Sequence, residues 1–493
     1  MDRRPIDLLE PETTGELWRI ARQRGYQMLV RLWELTERFW LGRGYFPALL
    51  GVLALTLATG WHVSGAAILV GIAIWFMAMC PDLLAAVCPM ILAIFPTAPE
   101  YENLSVFLPC LPLLFLFVAA TILHFFIWPV QIRLGSSRYG LAMVSVAAIL
   151  SGCDNLPLGQ RTTPLMLYYT LGLGAGMLAV YAAVRSALAE KRRYDVKHRF
   201  ALIWLTAGLG MALVVVSLCW RHLDGFAALD GAIPEFKCRN FCAAMLLTAF
   251  PAAFYLAARR RLYLIAAGVM GVAMVFTGSR SALLFGAVLA VLGCIYLVRF
   301  GVFSRRTMAL LLLAAAVFMA LFGVQALKTL YDSRIIQGHL VGRSEMRWQL
   351  LAHSVKDFLA HPVFGAGLGN TAHSSLTSGV PGSMFFYHNL AAQAAGSMGL
   401  LGLAAYGILI GDRARLLFKG RRDPFMMMLA MSYLGMLLLF MTNPGECCPF
   451  PNEAMVVTLF AVAEHTVGDA AYPLEQLLPL PAFARGTRVI RSK

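Results

Sequence analysis

Residues 262–298 read LYLIAAGVMGVAMVFTGSRSALLFGAVLAVLGCIYLV and carry a single charge, Arg280. Two apolar runs, 262–277 and 280–298, meet at Thr277-Gly278-Ser279-Arg280. A bilayer-spanning helix takes roughly 20 mostly apolar residues, fewer if it is short or re-entrant. The stretch therefore predicts two spans joined by a tight turn. Basic residues flank it on both sides, Arg259-Arg260-Arg261 before and Arg299, Arg305 and Arg306 after. Lys and Arg accumulate on the cytoplasmic side of membrane proteins, so the turn with Arg280 falls outside.

The rest of the chain repeats this pattern. Hydrophobic residues make up 59% of the 493 residues and charged residues 14%, against about 25% charged in soluble domains. Backbone groups in lipid must be satisfied internally, and the apolar runs are continuous rather than alternating, which argues for helices against a barrel. Fourteen spans are expected: 44–60, 63–80, 83–97, 104–128, 139–153, 164–185, 200–220, 240–258, 262–277, 280–298, 307–327, 390–410, 424–442 and 453–467. Two are short, so the expected class is all-α, a polytopic transmembrane helical bundle of about 12–14 spans. With the N-terminus inside, 31 of the 41 Lys and Arg lie in inner segments. The net charge of +15 is then topology and contact with anionic lipid. It is spread over seven segments, which argues against nucleic acid as a partner.

This register divides the chain into a cytoplasmic N-terminal amphipathic segment (1–43), transmembrane helices 1–11 (44–327), a large extracytoplasmic loop with an amphipathic helix (328–389), transmembrane helices 12–14 (390–467) and a cytoplasmic tail (468–493). Both termini are expected in the cytoplasm and the lipid bilayer is the first partner. The N-terminus lacks the early apolar stretch of a signal peptide. In 14–40, Leu17, Ala21, Met28, Leu32, Leu35 and Phe39 share a helical face, while Trp33 and Trp40 fall off it. This predicts a helix lying on the cytoplasmic leaflet. Cys153, Cys219, Cys238, Cys242, Cys447 and Cys448 fall near the outer face, where a disulfide can form.

The loop 328–389 is too long for an idle connector. Residues 343–361 predict a helix with the apolar stripe Trp348, Leu351, Val355, Phe358 and Leu359, suited to the outer leaflet or a cavity roof. Pro362 ends it. Gly365, Gly367 and Gly369 then permit close backbone approach, and a hinge is expected there. The glycines are no dinucleotide fingerprint, because no strand–helix unit surrounds them.

Ten basic residues run against the charge bias and fall outside: Arg161, Arg221, Lys237, Arg239, Arg280, Lys328, Arg334, Arg343, Arg347 and Lys356. Arg binds phosphate through a planar fork and stays charged. It can also stabilise negative charge on a departing pyrophosphate. Arg280 stands between apolar runs, where charge is costly and usually functional; the plainer reading is an arginine snorkelling to headgroups. Arg343 and Arg347 lie one turn apart. His388 stands just before the span 390–410, and imidazole, with a reference pKa of ~6.5, can take a proton from a sugar hydroxyl. A lone His is as readily structural. Asp332, Glu345, Glu446 and Glu453 are outer-side acids without a paired motif. No metal-ligand cluster is evident, so metal-independent chemistry without a cofactor is expected.

Thr277-Gly278-Ser279-Arg280, Gly342-Arg343, Arg347-Trp348, His361-Pro362-Val363-Phe364-Gly365-Ala366-Gly367, His388-Asn389-Leu390, Gln393 and Gly399-Leu400-Leu401-Gly402 together resemble the O-antigen ligase and polymerase family of membrane glycosyltransferases. The likeness covers roughly 220–410, and Asn240 matches it more weakly. It implies a GT-C-like enzyme of cell-surface polysaccharide biosynthesis in the cytoplasmic membrane. The donor it implies is a polyprenyl-pyrophosphate-linked glycan and the acceptor a saccharide or glycolipid, with other polysaccharide-assembly proteins as partners. It implies His388 and Arg280 as catalytic residues and Arg343, Arg347, Arg221 and Arg239 as pyrophosphate ligands. Two other classes share the hydropathy. A polysaccharide flippase or transporter often shows internal repeats, and none is found. A non-catalytic envelope-assembly protein has no need of Arg280, Arg347 and His388 together.

Overall fold

The computed structural model describes residues 14–80, 82–96, 111–128, 132, 134–154, 169–188, 194–221, 239–277, 279–310, 313, 340–368, 387–442, 445–447 and 452–468. These residues are 86% helical, with none in strands. The chain is an all-α polytopic membrane protein. Its helices are α1 (Thr14–Leu41), α2 (Tyr45–Thr59), α3 (His62–Met79), α4 (Leu84–Ile94), α5 (Leu111–Ile127), α6 (Ser137–Asp154), α7 (Tyr169–Leu188), α8 (Val196–Arg221), α9 (Arg239–Ala257), α10 (Tyr263–Phe276), α11 (Arg280–Arg299), α12 (Leu340–Ala360), α13 (Leu390–Lys419), α14 (Pro424–Phe440) and α15 (Ala454–Gly468). Helices occupy the expected spans, except that 307–327 falls largely outside the described residues. Six (α3, α7, α8, α9, α11 and α13) are long and apolar enough to cross a membrane unaided.

The lipid face is visible as exposed apolar stripes. Leu284, Val288, Val291 and Ile295 of α11 recur at helical spacing and are exposed, as are Leu262, Ile265, Val269 and Val272 along α10. A soluble helix would turn such a stripe inward. The interior is built around α9, which packs on α8, α10, α11 and α14. With lipid as the solvent, close packing and buried polar ties supply the cohesion between helices. One such tie is Glu464 of α15. It accepts the Ser137 N–H at 2.7 Å at the start of α6 and lies 3.6 Å from the Arg185 guanidinium.

The N-terminal helix has two apolar faces. Its Gln27–Leu41 part is bent by 84° from α2. Met28, Leu29, Leu35 and Phe39 are exposed, as a helix lying in the membrane surface requires. Trp33 and Trp40, which fall off the sequence stripe, are instead buried against the bundle. Trp40 Nε1 donates to Asp82 at 3.2 Å, and Arg199 stacks over the Trp40 ring at 4.5 Å. One face of α1 packs on the bundle and the other is exposed.

One sequence expectation is corrected. The charge count places Arg413 in an inner loop and Glu446 and Glu453 in an outer one. Instead α13 continues to Lys419 and buries Arg413 inside the bundle. Residues 445–447, past α14, pack against α13 and α14, and the carboxylates of Glu446 and Glu453 both meet the Arg413 guanidinium.

Candidate functional site

The site forms where α9, α11 and α13 begin. Ser279 is extended, and its Oγ accepts the Ala282 N–H at 3.4 Å, which caps α11 and makes Arg280 its first residue. The same hydroxyl donates to Asn240 Oδ1 at 3.3 Å. That contact brings together the starts of α11 and α9, whose first residue is Arg239. Ser281 Oγ lies 3.2 Å from Thr442 Oγ1, just past α14. Asn389 caps α13, accepting the Ala392 N–H at 3.0 Å, and its Nδ2 donates to the Met441 carbonyl at 3.0 Å. Through Met441 and Thr442, Arg280 and His388 therefore border the same end of α14. Helix N-termini carry partial positive charge and favour anions.

His388 is half-buried and has φ 51°, and among the described residues it is the one non-glycine residue with positive φ. That region is uncommon for non-glycine residues and costs on the order of 1–3 kcal/mol unless the surroundings hold it. Here both neighbours are held. Tyr387 donates its N–H to Gln393 Oε1 at 2.9 Å, while Gln393 Nε2 donates to Ser397 Oγ at 2.8 Å. The Tyr387 hydroxyl donates to the Asp357 carboxylate of α12. Burial first, and then this carboxylate, push the Tyr387 phenol well above its ordinary value, so it remains a neutral donor. Asn389 is held by its cap and by Met441.

Residues 361–368 dock onto a break in α13. Gly399 is non-helical (φ 63°, ψ −153°), which frees backbone groups on both sides of it. Ala366 donates its N–H to the Gly396 carbonyl at 2.7 Å and Gly367 to that of Ser397 at 3.0 Å. In return Leu400 donates to the Pro362 carbonyl at 2.8 Å and Leu401 to that of Val363 at 3.2 Å. Ser151 of α6 adds its hydroxyl to the Ser397 carbonyl at 2.5 Å. A Cβ on Gly365 would lie 2.3 Å from the Met398 nitrogen, and one on Gly399 2.5 Å from the Val363 oxygen. Where a hinge is expected, the described part of the glycine run is an anchor; Gly369 lies outside the described residues.

The sequence-predicted residues divide accordingly. Arg280 and Arg239 open α11 and α9, Arg221 ends α8, and Arg343 lies in the first turn of α12; the side chains of these four lie outside the described residues. Arg347 is exposed on α12, one turn before Leu350, which packs on Tyr387 and Ala392. The α12 stripe of Trp348, Leu351, Val355 and Leu359 is exposed, while Ser354 on the other face bonds the Ala392 carbonyl at 2.8 Å. Tyr387, Asp357, Ser397, Ser151 and Thr442 are additions from the structure. The i, i+4 spacing of Gln393 and Ser397 is the one signal in the sequence that could have pointed to any of them.

Residues 264–407 match the family model described as O-Antigen ligase. The match encloses Arg280, Arg343, Arg347 and His388 and begins after Arg221 and Arg239. A search of curated proteins finds no match. Over the matched segment, the chain is similar to the O-antigen ligase family of membrane proteins.

Proposed function

We propose that the protein is a metal-independent glycosyltransferase of the ligase or polymerase type, acting on a polyprenyl-pyrophosphate-linked glycan at the outer face of the cytoplasmic membrane. In this reading the 328–389 loop and the starts of α9, α11 and α13 face outward, and the segments 1–43 and 468–493 lie in the cytoplasm. The observation that carries it is the position of His388, held in a left-handed backbone at the same end of α14 as the start of α11.

The acceptor hydroxyl gives its proton to the His388 imidazole as its oxygen attacks the anomeric carbon. The bond from that carbon to the pyrophosphate oxygen breaks, and the polyprenyl pyrophosphate leaves with the electron pair. Arg280, with Arg239, Arg221, Arg343 and Arg347 as the pyrophosphate ligands of this reading, offsets the negative charge that grows there. Attack from the face opposite the leaving group inverts the anomeric centre.

A reconstituted assay tests this. Protein in lipid receives the host's own polyprenyl-pyrophosphate oligosaccharide with and without a candidate acceptor. A ladder from donor alone identifies a polymerase, and a single acceptor-dependent transfer identifies a ligase. His388→Ala and Arg280→Ala are expected to lose roughly 100-fold or more of either product. No product from the wild-type protein with any host donor would transfer the weight to a transporter or a scaffold.

A further inference from the structure

Arg413, Glu446 and Glu453 form a charge cluster sealed inside the bundle, away from the residues assigned to transfer. Arg413 is 0% exposed, Glu446 0% and Glu453 2%. Glu446 accepts from Arg413 Nη1 at 2.5 Å and Glu453 from Nη2 at 2.8 Å, so two carboxylates hold one guanidinium. The charges do not cancel: one cation faces two anions. Among the described residues, the remaining groups facing the cluster are neutral when protonated. Tyr406 of α13 bonds the Glu446 carbonyl at 3.1 Å. Tyr433 of α14 and Phe460 of α15 stack on the guanidinium at 5.7 and 4.9 Å. Cys447 lies beside Tyr406.

A second observation points the same way. Glu446 Oε1 and Glu453 Oε2 are buried and meet no hydrogen-bond geometry among the described residues; the Tyr433 hydroxyl, buried and likewise outside that geometry, stands beside the Glu446 carboxylate. A net negative charge enclosed in a low-dielectric interior, with unbonded carboxylate oxygens, is strongly unfavourable unless something positive is bound. One unit of positive charge cancels the surplus, whereas a divalent ion would reverse it.

We propose that this cluster binds one monovalent cation, a proton or Na+, at the unbonded oxygens of Glu446 and Glu453. The bound cation completes the charge balance that holds Glu446 and Glu453 against Arg413 of α13. Met441 and Thr442, a few residues before Glu446, are the contacts of Asn389 and Ser281, so the cation supports the candidate site from within the bundle. The inference does not depend on the transfer reaction.

The test is thermal unfolding of the full chain in detergent, over a pH series in choline chloride and in NaCl, for the wild type, Glu446→Gln and Glu453→Gln. A folded state that keeps a proton the unfolded chain releases loses stability as pH rises above the ordinary carboxyl range. If the cation is a proton, the wild-type Tm falls by about 3–5 °C over that rise, Na+ has no effect, and infrared spectra at neutral pH show a protonated carboxyl band. If it is Na+, the wild-type Tm rises with NaCl by mass action. Either response is expected to vanish in both Gln variants, which carry no surplus charge. The proposal is overturned if wild type and variants share one pH slope and ignore Na+, or if the wild type shows neither a protonated band nor a response to Na+. Should neither variant fold, the wild type decides: no protonated band and no response to Na+ overturns it.

Discussion

Asn389 binds Met441: its Nδ2 donates to the Met441 carbonyl at 3.0 Å while its Oδ1 caps α13. One side chain thus fixes the start of the helix that follows His388 and ties it to the end of α14. Asn389→Ala removes the cap, typically worth ~1 kcal/mol, together with the tie. The expected result is a modest fall in Tm and a larger fall in transfer rate, read from kcat in the reconstituted assay. An unchanged kcat would mean that the position of His388 does not depend on the tie.

Gln393 is predicted to act through Tyr387. Gln393→Leu removes the acceptor of the Tyr387 N–H and the donor to the Ser397 hydroxyl in a buried place, at a cost of about 1–3 kcal/mol. Gln393→Glu keeps the acceptor for Tyr387. Glu is therefore expected to retain most of the activity and Leu to lose it, with KM little changed in both. Equal activity in the two variants would remove Gln393 from the argument.

The break in α13 makes a steric prediction. Gly399 and Gly301 both have positive φ (63° and 72°), but a Cβ at Gly399 meets the Val363 carbonyl at 2.5 Å while Gly301 has open space around it. Gly301→Ala meets backbone strain alone, about 1 kcal/mol. Gly399→Ala must also displace the 361–368 segment. It is expected to lower Tm clearly more and to expose the loop to protease. Similar effects at both glycines would show that docking adds little.

At Asp195, burial opposes ionisation, yet the His198 N–H at 3.2 Å and the Arg259 guanidinium together hold the carboxyl below its ordinary range. A depressed carboxyl stabilises the fold above its unfolded pKa, and that stability is lost as pH falls through the folded value. Asp195→Asn is expected to lower Tm slightly at neutral pH, the difference closing as the pH is taken down through the carboxyl range. The same Tm difference at every pH would rule out this ion pair as its cause.

The fold was legible because membrane helices are written in composition. A run such as 280–298 admits few alternatives, and α11 spans Arg280–Arg299. The starts of α11 and α13 carry a sequence signal too: Ser279 and Asn389 are ordinary cap residues placed before apolar runs. Long-range pairings were not. Nothing near Arg413 announces Glu446 and Glu453, more than thirty residues later, because charge counting assumes that every ionised residue lies in a water-facing loop. Nor does the triplet Gly365, Gly367, Gly369 distinguish a hinge from a docking strip. Glycine supplies closeness and freedom alike, and the break at Gly399 decides which is used.

The buried guanidinium also constrains how the chain is made. Arg413 leaves the ribosome before either of its carboxylate partners exists, and a charge inside a membrane helix is costly until it is paired. The segment 361–368, which completes the break at Gly399, has by then already been synthesised. Glu446 and Glu453 have not, because both follow α14 in the chain. A chain ending at Asn443 would leave that charge stranded in lipid, and membrane quality control should clear it faster than one ending at Gly468.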